Sequence, residues 1–95
     1  MKVLLTAINS KFIHSNLAVR YLKAFTEDMD YTCKIREFSI NDRDEKVLEE
    51  IIKEKPDVVA FSTYIWNVEM VKRLSNLIKI VNSNIKILYG GPEVS

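Results

Sequence analysis

Two runs of the chain are apolar without alternation, Val3-Leu4-Leu5-Thr6-Ala7 and Val58-Val59-Ala60-Phe61, the latter entered by Asp57 and left by Ser62. Runs of that length and character predict strands buried on both faces. The segment from Thr32 to Ser39 alternates instead: Cys33 and Ile35 fall on one face, Lys34 and Arg36 on the other. That period of two predicts a strand with one wet face, as at the edge of a sheet. A fourth run, Ile85-Lys86-Ile87-Leu88-Tyr89, leads into Gly90-Gly91-Pro92. Between the strands the apolar spacing is helical. Leu17, Ala18, Tyr21, Leu22 and Phe25 share one stripe, with Ser15 as the expected N-cap and residues 28–30 as the end. Val47, Leu48, Ile51 and Ile52 make a second stripe, opened by Asn41-Asp42 with Glu45 in capping-box position and stopped by Pro56. Val71, Leu74, Leu77, Ile78 and Val81 make a third, starting near Asn67.

The order β-α-β-α-β-α-β predicts an α/β fold with parallel strands and crossover helices. The two continuously apolar strands belong at the centre and the alternating one at an edge, giving the order 2-1-3-4. This is a flavodoxin-like, Rossmann-like doubly wound sheet with helices on both faces. The final strand and helix usual in such a sheet are missing, and an edge as apolar as Ile85 to Tyr89 would invite aggregation. Residues 1–95 are therefore expected to be the N-terminal fragment of a longer protein.

Composition narrows the function classes. Fourteen Lys and Arg against thirteen Asp and Glu give a formal net charge of +1, which argues against a nucleic-acid surface. No apolar run is long enough to span a bilayer, and Met1-Lys2-Val3 enters a strand pattern directly rather than a signal peptide, so a cytoplasmic location is expected. Cys33, the one cysteine, cannot form an internal disulfide or supply a cysteine cluster, and reads as a small buried hydrophobe.

In an open parallel sheet the ligand crevice lies beyond the carboxyl ends of the strands where their order reverses, here between the first and third. The loops at that point are residues 8–15 and 63–66, with 90–93 beside them. They lack a GxGxxG fingerprint, a Walker P-loop and a flavin-phosphate loop. The strand ends Ala7-Ile8-Asn9 and Phe61-Ser62-Thr63 also lack the carboxylates of a phosphoacceptor site. What they carry is apolar: Phe12-Ile13 on one loop and Tyr64-Ile65-Trp66 on the next. Such residues mark a ligand or protein contact, or else fold back to plug the small core, a reading that fits Ile13 and Ile65 better than the large Trp66. His14 is either a hydrogen-bonding loop residue or a ligand, and Gly90-Gly91 either a plain turn or a close backbone approach. Thr6 and Asn9 read as ordinary strand-end residues.

Taken with the segments Val3-Leu4-Leu5, Lys55-Pro56-Asp57-Val58-Val59-Ala60-Phe61-Ser62 and Ile87-Leu88-Tyr89-Gly90-Gly91-Pro92-Glu93, the chain resembles the cobalamin (vitamin B12)-binding domain found at the N-terminus of radical S-adenosylmethionine enzymes. The resemblance covers essentially the whole chain. It implies a corrinoid cofactor over the carboxyl ends of the strands, with a nucleotide tail between the first and third. Ser62 and Thr63 would line the tail pocket, Gly90 and Gly91 would admit the tail to the backbone, and Tyr64, Ile65 and Trp66 would cover the corrin. Asn9, Ser10, Phe12, Ile13 and His14 on the first loop, with Pro92 and Glu93 at the end, complete the implied cofactor-binding set.

The methionine-synthase and mutase branch carries D-x-H-x-x-G, in which the histidine ligates cobalt. Aligned on His14, the Asp and Gly positions hold Phe12 and Leu17, which removes the carboxylate that would fix the tautomer of a ligating His14. The resemblance further implies that S-adenosylmethionine and a [4Fe–4S] cluster belong to a downstream domain of the same chain, since their cysteine triad is absent here. Its expected function is a cobalamin-binding module, not catalytic alone, of a radical enzyme such as a methyltransferase. The alternative is a domain that keeps the fold for structural or interaction purposes and binds no cofactor. A free-standing enzyme built on the His14 loop is less favoured, because no partner acid or nucleophile stands at sensible spacing.

Overall fold

The computed structural model describes residues 1–10 and 32–90. Within them the elements are β1 (Lys2–Asn9), β2 (Thr32–Ser39), α1 (Asp44–Lys53), β3 (Val58–Ser62), α2 (Val68–Val81) and β4 (Lys86–Gly90). All four strands are parallel in one sheet of order β2-β1-β3-β4, the arrangement that the apolar and alternating runs predict. The flavodoxin-like reading is correct for the described chain. The helix predicted from Asn16, and residues 91–95, lie outside the described residues.

The central position of β1 follows from its composition: residues 3–9 are all buried, as a strand covered on both faces requires. Leu4, Ile8, Val59 and Phe61 face the helices and pack with Val47 and Ile51 of α1 and with Val71, Leu74 and Ile78 of α2. Both described helices therefore cover the same face. Val3, Leu5, Ala7, Val58 and Ala60 form a separate cluster on the other face, with Cys33 packed against it.

Three expectations change. The second predicted helix begins at Asp44 rather than at Asn41-Asp42, and its N-cap, Arg43, makes no side-chain cap bond. Asp42 is otherwise engaged: its carboxylate accepts from the Ser39 N–H (2.9 Å) while its own N–H donates to the Ser39 carbonyl (3.0 Å), closing a turn after β2. Val81, expected on the inner face of the third helix, is 53% exposed: it is the last residue of that helix, and Ile78 is its last buried position. The face of β2 carrying Lys34 and Arg36 is wet only in part. Glu50 of α1 and Glu54 at its C-cap bond these cations. No helix among the described residues is long and apolar enough to cross a membrane.

Candidate crevice at the carboxyl ends of the strands

Because the strands are parallel, the ends of β1, β3 and β4 share one edge of the sheet. In register, Ala7 lies opposite Ser62, and Ser62 opposite Gly90. The Thr63 N–H donates to the Gly90 carbonyl at 2.5 Å, and the Ile40 N–H to the Asn9 carbonyl at 2.9 Å, so the edge is tied across from β2 to β4. Of the residues predicted for the site, Asn9, Ser62 and Thr63 are buried here, while Ser10 and Gly90 are half-buried. Phe12, Ile13, His14, Gly91, Pro92 and Glu93 lie outside the described residues.

The loop after β3 divides its apolar residues in an order the sequence does not suggest. Ile65 stands at the tip, 75% exposed, whereas Trp66 is half-buried and stacks on Tyr64 with ring centroids 4.4 Å apart and planes 13° from parallel. The bulky indole is sheltered by an aromatic neighbour, and the smaller isoleucine is left bare. The Thr63 hydroxyl and the Trp66 indole nitrogen are buried without a hydrogen-bond partner among the described residues. Buried polar groups are nearly always paired, so two unpaired ones within four residues of a strand end set this loop apart. Thr6, read as a strand-end residue, is instead mid-strand and fully buried, and its hydroxyl is likewise unpartnered.

One residue that sequence reasoning treats only as a helix start is central to the edge. Asn67 is 1% exposed and bonds the ends of both β1 and β3. The available signal was an amide side chain, able to donate and accept at once, directly after the aromatic loop of a buried strand.

Two clefts lie elsewhere. One, of about 650 Å³, surrounds the start of α1, where Asp44 is bound to Arg73 of α2 at 2.7 Å. The other, of about 500 Å³, lies between α2 and the outer edge of β4. The first mixes acidic and basic side chains on an exposed surface, and neither includes the unpartnered groups of the β3 loop. Among the described residues no group of three or more His, Cys, Asp or Glu is placed to hold a metal ion.

The described residues thus form a four-stranded parallel α/β sheet whose order reverses between β1 and β3, with Tyr64, Ile65 and Trp66 on the loop at that reversal, the place where open sheets of this class bind their ligands. Residues 3–95 match the family model of the B12 binding domain, and the chain belongs to that family. No curated protein matches it.

Proposed function

We propose that the chain binds cobalamin and serves as the cobalamin-binding module of a larger radical S-adenosylmethionine enzyme, without catalytic activity of its own. The observation that carries the binding reading is the β3 loop. In a chain of the B12-binding family, buried unpartnered Thr63 and Trp66 polar atoms lie beside an exposed Ile65. The residues fit the cofactor: hydrogen-bonding groups lacking partners suit its polar tail, and apolar side chains suit the corrin face. When bound, the cofactor would supply a cobalt centre able to carry a methyl group. The protein's own part is to hold the tail with Ser62, Thr63 and the Gly90-Gly91 backbone, and to exclude water from the corrin with Tyr64, Ile65 and Trp66.

On the same reading Asn9, Ser10, Phe12, Ile13, Pro92 and Glu93 complete the contact set. Phe12 and Leu17 at the family's Asp and Gly positions favour a cofactor held without His14 on the cobalt. The parent would be a methyltransferase whose downstream domain holds S-adenosylmethionine and a [4Fe–4S] cluster on its own cysteines. A cysteine triad beyond residue 95 is the feature to look for in the full gene.

The test is titration of the full-length protein with hydroxocobalamin, followed in the visible spectrum. Saturable stoichiometric binding supports the proposal, and His14→Ala should leave the bound spectrum unchanged. Absence of binding would instead favour a domain that keeps the fold for structural or interaction purposes, a reading that the same Phe12 and Leu17 motivate.

A further inference from the structure

Asn67 stands where β1 and β3 end. Its Nδ2 group donates to the Ile8 carbonyl at 2.9 Å and to the Ser62 carbonyl at 3.1 Å, so one amide bridges the penultimate residue of β1 and the last residue of β3. Its Oδ1 accepts from the Tyr64 N–H at 2.8 Å, while its backbone N–H donates to the Tyr64 carbonyl at 3.1 Å. The four-residue turn from Tyr64 to Asn67 is thereby closed from both directions. An asparagine preceding a helix normally accepts from the helix's first free N–H groups, yet Asn67 makes no such cap bond to α2. Its side chain is committed to the strand ends instead.

Few side chains could replace it. Aspartate has the acceptor but no donor when ionised, and would set a negative charge against two carbonyl oxygens. Alanine would leave two buried carbonyls and one N–H without these bonds. Glutamine is one methylene too long for a site that leaves Asn67 1% exposed.

We infer that Asn67 is the positioning residue of the ligand crevice: by joining the Ile8 and Ser62 carbonyls it fixes the gap between β1 and β3, and by closing the 64–67 turn it fixes how Thr63, Tyr64 and Trp66 are presented to the cofactor. The inference rests on the cobalamin-binding reading above. Asn67 acts through these neighbours and need not touch the cofactor.

The experiment compares hydroxocobalamin affinity in the full-length protein for the wild type, Asn67→Ala, Asn67→Asp and a core control, Ile78→Val. The control substitution lies on α2 among the core side chains and should lower stability by about 0.5–1.5 kcal/mol. It is expected to bind within about twofold of the wild type, because loss of packing alone does not reshape the crevice. The folded Asn67 variants are expected to bind at least about tenfold more weakly.

Part of the loss in Asn67→Asp should be recovered on lowering the pH from about 7.5 to about 5.5. Burial beside carbonyls raises the pKa of the introduced carboxyl, and its protonated form regains one donor. Folded Asn67 variants that bind as tightly as the wild type would overturn the inference. So would failure of both to fold while Ile78→Val folds, since Asn67 would then be a folding residue only. If the wild type itself does not bind, it is the cobalamin reading that fails, and that result is separate from either of these.

Discussion

Lys55 is the one non-glycine residue among those described with a positive φ, at 52°. It follows the C-cap of α1, where the Glu54 and Lys55 N–H groups donate to the Ile51 and Ile52 carbonyls before the buried Pro56 turns the chain into β3. A left-handed lysine is disfavoured by about 1–2 kcal/mol, and glycine, the usual residue at this helix exit, removes that term but loses more chain entropy on folding. Lys55→Gly should therefore stabilise the domain by a net of about 0.5–1 kcal/mol, read as a higher denaturant midpoint with an unchanged slope. The sequence marks this exit through Pro56 but not the strain, because strain depends on the φ that the following strand imposes. The same distinction separates the site residues. The apolar loop of residues 64–66 is legible because its composition is wrong for a solvated turn. Asn67 is not, because its meaning lies in a bond to Ile8, 59 residues away. Asp42 looks like a cap by spacing alone, and only the competing bond to Ser39 reveals that its carboxylate is spent on a turn.

At the scale of elements, the strands and helices follow closely from the period of their apolar positions, and β2 occupies the bounds expected for it. What periodicity misses is how the polar face of β2 is used. Lys34 bonds Glu54 at 3.0 Å, and Arg36 bonds Glu54 and Glu50 at 3.2 Å each, while Lys2 on β1 reaches the Glu54 backbone carbonyl. Glu54 thus joins the end of α1 to two strands. Its hydrogen bond to Lys34 holds its carboxyl below the ordinary value of 4.5, with Arg36 adding to the effect and partial desolvation opposing it. A carboxyl whose folded pKa is depressed adds stability that is present above its unfolded pKa and lost as the pH falls through the folded one. Wild type should therefore exceed Glu54→Gln in stability at neutral pH. The difference should shrink below about pH 4.5 and vanish in stronger acid, and urea midpoints measured across that range check it. A constant difference at all pH values would mean that the network contributes through packing rather than charge.

For the whole molecule, sheet order was the most legible property, since two strands apolar on both faces can only be central and one alternating strand belongs at an edge. Size sets the rest. A domain of 95 residues has a net stability on the order of 5–14 kcal/mol, and much of the described core is a single cluster between the sheet, α1 and α2. Leu74, fully buried at its centre, is a single point of failure: Leu74→Ala should remove about 2–5 kcal/mol, a large part of the whole. Cobalamin bound at the strand ends, as proposed, would offer a counterweight. A ligand that binds only the folded chain at about one hundred times its Kd adds about 2.7 kcal/mol, which for a domain of this size raises the unfolding midpoint by roughly 10–20 °C. Leu74 lies on the buried face of α2 and not in the β3 loop, so hydroxocobalamin should shift the melting midpoints of wild type and Leu74→Ala by similar free energies, restoring much of what the variant lost. Thermal melts with and without the cofactor test this directly. A shift in wild type that disappears in Leu74→Ala would mean that the crevice and core are mechanically coupled through α2, whereas no shift in either would remove the support for cobalamin binding altogether.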